Sequence, residues 1–573
     1  MFSRARALGL GLAFALLPPL ASGCEGPKVN AIPAPSGSAR EARPKEVTIT
    51  VAGTSDLHGR ISGLPLFASY VRALRGHNKG GVVLVDAGDM FQGTLESNQN
   101  EGEAVVAAYQ RIGYDAVAIG NHEFDYGPVG EASVVRKSAP EGLEKDPRSA
   151  LKARAAQAKG VFPFLAANLL EEGKPVTYPN VVPSAIVERH GVSVGILGVT
   201  SADTTSTTIA ANVVGMRVVP LVKAITEEAK ALRDKGAKVV VVAAHAGGQC
   251  TKLDAPKDLS SCDPAAEIFE VARQLPEGAV QAIVAGHTHQ SVAHEVAGVP
   301  IIQSKANGEA FGRVDLTVEA ETGKVLRAKI HAPQPIKPDV VYEGVRVDRL
   351  PEVEEVVSPA LQRANARRAE SLRVTLKGPF PSKYRDECAL GNLLTSLLLE
   401  LDPKMDVALL NGGGLRADLA PGALTYGALY DALPFDNRLA RLTMTGRALR
   451  QVFAKNLSGK SGILSIAGAR VIGRCEGDEL EVDIFLSRPG KPERKVKDED
   501  KVLVMTNEFL ASLGDGFGPA ERVELDEEGP PFRDPLAEAL KKRGGDIAPE
   551  EWLVASRPRI ALPGPIGAGV CKR

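Results

Sequence analysis

The stretch GNHEFDYG, residues 120–127, comes directly after the apolar run YDAVAI, residues 114–119. The apolar run predicts a buried strand. An amide, an imidazole and two carboxylates come after this strand, where an ordinary turn would be expected. Polar side chains gathered at the carboxyl end of a buried strand are typical of a ligand site in α/β proteins. The stretch therefore predicts a functional site.

The chain around this stretch alternates apolar runs with amphipathic stretches, which indicates an α/β fold. Some of the runs are too short and too close together for a simple doubly wound sheet. A helical stripe spans 219–233, and DPAAEIFEVARQL predicts another helix with Asp263 as a candidate N-cap. The predicted strands are 47–53, 81–88, 115–120, 162–168, 192–200, 238–245 and 282–287.

Polar residues suited to metal binding follow several of these strands. A single histidine at a strand end is more often structural than a ligand, but five such motifs in one chain are not independent accidents. The candidates are Asp56 and His58 in TSDLHG, Asp89 in DAGDMFQG, Asn121, His122 and Asp125 in GNHEFD, His245 in AAHAGG, and His287 and His289 in AGHTHQ. The other four of the nine histidines, His77, His190, His294 and His331, are predicted to be surface or loop residues.

The chemistry of the candidates indicates a metal centre. Aspartates, imidazoles and one amide carbonyl suit a borderline divalent ion such as zinc, manganese or iron. Seven such ligands are too many for one tetrahedral site, and one carboxylate can bridge two ions. A binuclear site is therefore the economical interpretation.

The motifs D-x-H, G-D-x-x-x-G, G-N-H-E, H-x-G and G-H-x-H occur here in the order typical of calcineurin-like metallophosphoesterases. The longer strings DAGDMFQGT and GNHEFDYG resemble the 5′-nucleotidase branch of that superfamily. The resemblance covers most of residues 46–320. It implies a four-layer α-β-β-α sandwich for a first domain at 46–337.

The resemblance also implies a role for each candidate. Two divalent ions, zinc, manganese or iron with magnesium as a further option, would neutralise the phosphate, and a metal-activated hydroxide would attack phosphorus. His122 would be the catalytic imidazole and Asp125 its orienting carboxylate. Glu123, the remaining acid of the motif, is predicted to support the ligands or the fold, with no direct chemistry. The implied ligands are Asp56, His58 and His289 for one metal, Asn121, His245 and His287 for the other, and Asp89 as the bridge.

A second set of motifs lies after residue 372. CALGNLLT (388–395), LLNGGGLR (409–416) and NEFLASLGDGF (507–517) resemble the C-terminal domain of 5′-nucleotidases, which implies a second, α+β domain at 373–563 and a tail at 564–573. Tyr384 stands where that family often has an arginine, so Arg385 is a further candidate. The implied substrate residues are Phe435 and Phe509 for stacking on the base, Asp515 for the ribose, and Asn411 and Arg416 for base and phosphate. Without the resemblance, both phenylalanines would be predicted as core residues.

A connector is predicted between the two domains. APQPIKPD is rich in proline, and residues 353–372 form a charged helical stretch that Pro359 is expected to interrupt. Residues 338–372 are therefore predicted as a connector and hinge helix.

The beginning of the chain has the features of an export signal. Residues 1–23 carry two arginines, an apolar stretch and small residues, and ASGC resembles a bacterial lipobox in which Cys24 receives a lipid. A plain secretory signal is the alternative. Residues 24–45 are predicted to be a disordered tether. The expected location is the cell envelope, on the periplasmic or cell-surface side.

Export implies an oxidising compartment, so structural disulfides are favoured for the remaining cysteines. Cys250 and Cys262 flank a short loop and are able to pair. Cys388, Cys475 and Cys571 leave one odd thiol, and their pairing stays open.

The function that these motifs favour is a hydrolase that releases phosphate from nucleotides. Alternatives with the same site are a 2′,3′-cyclic-nucleotide 2′-phosphodiesterase/3′-nucleotidase and a nucleotide-sugar hydrolase. The base-stacking set argues against a related thiosulfohydrolase, and the intact ligand set argues against a binding lipoprotein that has lost catalysis. A net charge of −1 over 573 residues gives no basic field for a nucleic-acid polymer. Contact with a membrane is expected only through the lipid on Cys24, and the oligomeric state stays open.

Overall fold

The protein is described by a computed structural model covering residues 45–129, 146–459, 462–487, 492–512, 517–518, 520–525, 531–567 and 570–571. The predicted signal peptide, Cys24, the tether as far as residue 44 and Asp515 lie outside the described residues. The described residues from Lys45 onward pack into one compact unit. None of their helices is long and apolar enough to cross a membrane.

The first part of the described chain alternates short strands with helices. Its strands are β1 (Glu46–Thr54), β2 (Val82–Asp86), β3 (Ala116–Ala118), β4 (Phe164–Leu165), β5 (Leu169–Glu171), β6 (Lys174–Pro175), β7 (Val181–Val182), β8 (Ser184–Arg189), β9 (Val192–Thr200), β10 (Met216–Val218), β11 (Val239–His245), β12 (Ala282–Ala285), β13 (Ser291–Val296), β14 (Val299–Ser304), β15 (Ala310–Glu319), β16 (Val325–Pro335), β17 (Val341–Tyr342) and β18 (Val345–Arg346). Its helices are α1 (Leu64–His77), α2 (Leu95–Asn98), α3 (Glu103–Ile112), α4 (Ser149–Gln157), α5 (Leu221–Asp234), α6 (Glu267–Gln274) and α7 (Pro351–Arg368).

Two sheets form the middle of this part. Among the described residues, one sheet has the order β16-β15-β1-β2-β3-β4-β7 and the other β13-β14-β12-β11-β9-β8. Their facing sides are almost entirely valine, isoleucine, leucine and alanine and form a shared core. Helices α1, α3 and α4 cover the outer face of the first sheet, and α5 and α6 cover that of the second. This is the predicted four-layer α-β-β-α sandwich.

The register of the strands places the site. β1, β2 and β3 run parallel in one sheet, and β9, β11 and β12 run parallel in the other. The carboxyl ends of parallel strands lie at the same edge of a sheet. The loops that follow these strands therefore converge at one end of the sandwich.

The second part is α+β, as expected. Its strands are β19 (Ser371–Leu376), β20 (Val407–Asn411), β21 (Gly422–Thr425), β22 (Leu439–Thr445), β23 (Leu464–Ala467), β24 (Ala469–Glu476), β25 (Glu479–Leu486), β26 (Arg494–Lys495), β27 (Lys501–Asn507), β28 (Arg522–Leu525), β29 (Gly545–Ile547) and β30 (Ile560–Ala561). Its helices are α8 (Ala389–Glu400), α9 (Tyr426–Ala432), α10 (Gly446–Ser458), α11 (Glu508–Ala511) and α12 (Arg533–Arg543). The central sheet among the described residues has the order β23-β20-β27-β22-β28.

Helix α7 links the two parts. Val353, Val357 and Ala360 belong to the apolar cluster of the sandwich, whereas Ala364, one turn further on, belongs to that of the second part. The domain boundaries themselves stay predictions. The helix is continuous through Pro359, so the predicted interruption there is wrong. Packing of the apolar stripe against both cores outweighs the one hydrogen bond that a proline removes.

Two further expectations need correction. Asp263 does not cap α6; Ala266 is the N-cap, and the Asp263 carboxylate accepts from the Ala265 amide in a turn before the helix. His294 is fully buried in β13 and is therefore neither a surface nor a loop residue, whereas His331 lies partly exposed on the edge strand β16 beside Asp315. Cys388 is a free, buried thiol and is the one odd cysteine that the count of cysteines required.

The other cysteines form disulfides. Cys250 pairs with Cys262, as the short loop between them allows, and Cys475 pairs with Cys571. The second bond joins the end of β24 to the last described turn of the chain.

Candidate metal centre and active site

The candidate ligands sit on tight loops at the carboxyl ends of the strands. Among the seven, five adopt a left-handed backbone conformation with φ between 49° and 79°. That conformation is uncommon for residues other than glycine and marks functional sites when the surrounding structure enforces it. The five residues are Asp56, His58, Asp89, His287 and His289.

Asp56, His58 and His289 form one cluster, with ligand atoms all within 4.8 Å of one another. His58 Nε2 lies 2.8 Å from His289 Nε2, and His289 Nε2 lies 3.7 Å from Asp56 Oδ1. The Asp56 carboxylate also accepts from the backbone amide of His287, at 2.9 Å. The loop after β12 is thereby tied to the loop after β1.

Asp89, His245 and His287 form the second cluster within the same limit. His245 Nε2 lies 3.1 Å from Asp89 Oδ2 and 3.1 Å from His287 Nδ1. Asn121 joins this cluster because its Oδ1 lies 3.0 Å from His245 Nε2. All seven predicted ligands are thus brought together, and Asp89 also groups with His58 on the side of the first cluster.

The donor atoms of these clusters fit a cation. His58 Nδ1 lies 2.9 Å from the carbonyl oxygen of Gln92, which can only accept a hydrogen bond, so the proton of this ring is on Nδ1. Burial lowers the pKa of His58 to about 3 and so keeps it neutral. Its Nε2 lone pair then faces His289 Nε2 at 2.8 Å. Such a pair is stable only around a proton or a metal ion, and a ring held by its other nitrogen is typical of a metal ligand.

The donor atoms of the second cluster also fit a cation. His245 Nδ1 lies 2.9 Å from the carbonyl oxygen of Ala87, so its Nε2 points at the Asp89 carboxylate. Burial would lower the pKa of His245, but Asp89 outweighs burial and raises the pKa to about 10. A buried carboxylate needs a positive partner, which a metal ion or a protonated imidazole can supply.

His122 and Asp125, the catalytic pair that the resemblance implied, lie beside the clusters. His122 Nδ1 is 2.5 Å from Asp125 Oδ2, and the hydroxyl of Thr208 donates to the other oxygen of Asp125 at 2.7 Å. Burial alone would lower the pKa of His122, but Asp125 and Asp89 raise it to about 9. The imidazole is therefore oriented and able to carry a proton toward the centre of the site.

Glu123 holds two ligand loops in register. Its buried carboxylate accepts from the backbone amides of Asp89 and Gly120 through Oε2 and of Met90 through Oε1, at 2.7–2.9 Å. These donors belong to the loops after β2 and β3. Glu123 therefore has the structural role that the sequence suggested.

A cavity of about 540 Å³ extends from His122 and Asp125 to the second part of the chain. Four of the predicted substrate residues, Asn411, Arg416, Phe435 and Phe509, line it. The ring of Phe435 lies 6.4 Å from the His122 ring, and the Arg416 guanidinium lies 5.7 Å from the Phe435 ring. The cavity thus joins the base-stacking candidates to the catalytic candidates.

Arg385 is not among the residues that line this cavity. Its guanidinium donates to the carbonyl oxygens of Gly459, at 2.6 Å, and Ile566, at 3.4 Å. Tyr384 lines the cavity instead, with its side chain packed against Gly413 and Gly462. Tyr384 and Arg385 lie in an irregular segment, where sequence alone does not show which side chain faces the site.

Sequence analysis missed one acid near the second cluster. Asp203 Oδ1 lies 3.3 Å from His287 Nε2, and the hydrogen bond with His287 lowers the pKa of Asp203. Asp203 follows β9 in the string TSADTTST, 200–207. The other candidates were found as polar residues that follow a buried strand, and Asp203 follows β9 in the same way. Thr208, which contacts Asp125, comes directly after this string.

Comparison with known families agrees with the geometry. The model for calcineurin-like phosphoesterases matches residues 49–291, and the model for the 5′-nucleotidase C-terminal domain matches residues 371–521. The chain therefore contains a calcineurin-like phosphoesterase domain, of a family that uses divalent metals, followed by a 5′-nucleotidase C-terminal domain, as the resemblance implied. These two matches indicate a hydrolase that acts on phosphate ester bonds.

Individual relatives are distant. The chain is 25% identical to the cell wall protein Lmo0130 of Listeria monocytogenes, over 86% of this chain and 66% of that protein. It is 26% identical to the endonuclease YhcR of Bacillus subtilis, over 73% of this chain and 34% of that protein. A 5′-nucleotidase of Diplobatis ommata is 24% identical over 82% of this chain and 83% of its own length. The chain therefore spans two thirds or less of the first two relatives.

Among solved structures, a 5′-nucleotidase precursor from Thermus thermophilus has a TM-score of 0.65 and 23% identity. The match covers 90% of this chain and 99% of that chain. This likeness shows a shared fold over both parts of the molecule.

Proposed function

We propose that the protein is a binuclear 5′-nucleotidase that releases phosphate from nucleoside monophosphates. The observation that carries this proposal is the single cavity that holds His122 and Asp125 at one end and Phe435 and Phe509 at the other. A substrate with a phosphate at one end and a flat base at the other has the matching chemistry.

Asp56, His58 and His289 would hold one divalent ion, and Asn121, His245 and His287 the other, with Asp89 between them. The overlapping clusters around Asp89 support this assignment. When bound, the two ions would neutralise phosphate oxygens and lower the pKa of a water molecule at the site. Nitrogen and oxygen ligands in these numbers suit zinc, manganese or iron.

His122 would stabilise charge on the phosphoryl group and donate a proton to the leaving oxygen. Its Nδ1 is fixed by Asp125, which leaves Nε2 for this task. Thr208 in turn fixes the Asp125 carboxylate. The chain's own residues therefore set both the direction and the proton content of the imidazole.

Phe435 and Phe509 would stack on the base, and Arg416 would pair with a negative group of the substrate. Stacking requires only a π face, so the clamp accepts more than one base. Asp515 would accept the ribose hydroxyls. Among the described residues, the Arg416 guanidinium donates one long bond, of 3.4 Å to the Gly413 carbonyl, so it has donors left for a ligand.

We place the protein in the cell envelope, exported by residues 1–23 and attached through a lipid on Cys24. The string ASGC and the similarity to a cell wall protein support this location. Labelling with a radioactive fatty acid, with Cys24→Ser as control, tests the attachment.

The activity is tested on purified mature protein with Mn²⁺, Zn²⁺ or Mg²⁺. We expect phosphate release from AMP that EDTA abolishes and added metal restores. Asp89→Ala should remove activity and bound metal together, whereas Asp348→Ala, which changes an exposed acid in a surface ion pair, should change neither. No phosphate release from AMP under any of these metals would refute the proposal.

A substrate panel separates the proposed activity from its alternatives. Faster turnover of 2′,3′-cyclic nucleotides or nucleotide sugars than of AMP would favour the related hydrolases. Binding of nucleotides without turnover of any phosphate ester would favour a binding protein. The double variant Phe435→Ala, Phe509→Ala should weaken the binding of AMP far more than the binding of p-nitrophenyl phosphate.

A further inference from the structure

Arg533, the first residue of α12, is fully buried. Its guanidinium donates to the Leu433 carbonyl at 2.5 Å, to the Phe435 carbonyl at 3.2 Å and to the Asp436 carboxylate. The same group lies 4.1 Å from the centre of the Tyr430 ring. One side chain therefore holds the loop that carries Phe435 at three points.

The same loop is also held from the sandwich. Asn98 Nδ2 donates to the other oxygen of Asp436 at 3.0 Å, and Gln92 Nε2 donates to the Pro434 carbonyl at 3.3 Å. Asn98 Nδ2 also lies 3.5 Å from the Pro434 carbonyl oxygen, so the sandwich makes three contacts with this loop, as many as the guanidinium of Arg533 makes. Arg533 is the fully buried side chain that holds the loop from within the second part of the chain.

We propose that Arg533 is a positioning residue for substrate selection, which holds Phe435 where it stacks on the base of a nucleotide. This inference rests on the proposed nucleotidase function. Arg533 does not line the cavity, so it acts through Phe435 and not on the substrate itself. Stacking depends on ring position, and a shift of the order of 1 Å is enough to weaken a bound geometry.

The chemistry of the contact requires an arginine. A planar guanidinium offers five donors in a fixed fork and a flat face for an aromatic ring. Two carbonyls, one carboxylate and the Tyr430 ring use both of these properties at once. A lysine keeps the charge and is able to reach one acceptor, but it loses the fork and the flat face.

The first test compares Arg533→Lys with wild type on AMP and on p-nitrophenyl phosphate. We expect KM for AMP to rise about tenfold, while kcat/KM for p-nitrophenyl phosphate changes less than about twofold. The matched control is Arg313→Lys, which alters another buried arginine, paired with Asp315 and Glu343 away from the cavity. That control measures the effect of a general loss of packing. It should leave unchanged the ratio of kcat/KM for AMP to kcat/KM for p-nitrophenyl phosphate.

A second pair of variants decides the matter if Arg533→Lys does not fold. Tyr430→Leu removes the ring on which the guanidinium lies and should raise KM for AMP selectively. Tyr430→Phe keeps the ring and removes a hydroxyl that has no hydrogen-bond partner among the described residues, so it should behave as wild type. The inference would be overturned if Arg533→Lys or Tyr430→Leu lost the same factor in kcat/KM on AMP and on p-nitrophenyl phosphate. An unchanged KM for AMP in Tyr430→Leu would also overturn it.

The nucleotidase function and the positioning role of Arg533 are refuted by different results. Failure of the nucleotidase function appears in the wild-type enzyme, which would then hydrolyse p-nitrophenyl phosphate but not AMP. Failure of the positioning role appears only in the variants, against a wild type that is active on AMP.

Discussion

The catalytic pair gives the first prediction at the scale of single residues. His122 Nδ1 and Asp125 Oδ2 lie 2.5 Å apart. Asp125→Asn replaces the carboxylate by an amide, which neither fixes the same tautomer nor supports positive charge on the ring. We expect kcat to fall about 10²-fold, with metal content unchanged by atomic absorption. Since Asp125 touches none of the candidate ligands, an equal loss of metal would contradict this assignment.

Thr208 provides a graded control for that prediction. Its hydroxyl donates to Asp125 Oδ1, not to the imidazole. Thr208→Val keeps the shape of the side chain and removes only this bond, so kcat should fall about tenfold, less than for Asp125→Asn. A larger effect of Thr208→Val would mean that the hydroxyl touches the substrate.

Asp315 gives a prediction about pH. Although burial raises its pKa, hydrogen bonds from His331, Arg313 and Thr50 outweigh burial and hold the pKa well below the usual range. A carboxyl with a depressed pKa in the folded state stabilises the fold above its unfolded pKa of about 4, and this contribution is lost as pH falls further. Asp315→Asn should therefore cost about 1–3 kcal/mol at pH 7, and the cost should shrink below about pH 4.

Urea unfolding of metal-free protein between pH 7 and pH 3 measures this difference. Asp348→Asn is the matched control, because its ion pair with Arg346 is exposed and should contribute at most about 1 kcal/mol at any pH. A cost for Asp315→Asn that grew as pH fell would show that the sign is wrong.

Sequence predicts single residues well where backbone topology fixes them. Asp56, Asp89 and His245 follow buried parallel strands, so their meeting point is a consequence of strand direction. Side-chain direction in irregular segments is different, because it depends on packing partners that are distant in sequence. Arg385 turns toward Gly459 and Ile566, and Tyr384 faces the cavity in its place.

At the scale of elements, variants of Glu123 test how far the two ligand loops depend on the hydrogen bonds of one carboxylate. Glu123→Ala would leave the buried amides of Asp89, Met90 and Gly120 without their acceptor. We expect a loss of about 3 kcal/mol or more in the free energy of unfolding and weaker metal binding. Glu123→Gln keeps one acceptor oxygen and should lie between Ala and wild type.

Denaturant unfolding and metal titration by calorimetry measure both effects. Glu103→Ala is the control, because this acid lies at the surface with a single long ion pair and should change the free energy of unfolding by less than about 0.5 kcal/mol. If Glu123→Ala kept wild-type stability and metal affinity, the loops would hold their shape without the hydrogen bonds of the Glu123 carboxylate.

Elements were predictable where a local pattern decides them. The run VVVVAAH gives β11 because a fully apolar strand is buried on both faces. Helix α7 shows the limit. Pro359 predicts a break, yet the helix continues, because Val357 and Ala360 pack into the sandwich and Ala364 packs into the second core. A local rule fails where contacts to distant elements supply more free energy than the local cost.

At the scale of the whole molecule, the site is made of two sets of residues far apart in sequence. The candidate metal ligands lie between Asp56 and His289, whereas the base clamp lies between Asn411 and Phe509. The sequence predicted each set from its own motifs. Their meeting in one cavity depends on how α7 and the loops around Pro434 pack the two parts together, which no local pattern encodes.

This division predicts that the two halves of the site bind their ligands separately. Adenosine carries a base and a ribose but no phosphate, so it should bind metal-free protein through Phe435 and Phe509. Inorganic phosphate should bind only when metal is present. A ligand at 100 times its Kd stabilises a protein by about 2.7 kcal/mol, so adenosine should raise the Tm of the EDTA-treated protein by scanning calorimetry. Phe435→Ala should remove that rise and leave the metal-dependent rise with phosphate intact. If adenosine raised the Tm only after metal was added, the two halves would be coupled, and separate binding would be ruled out.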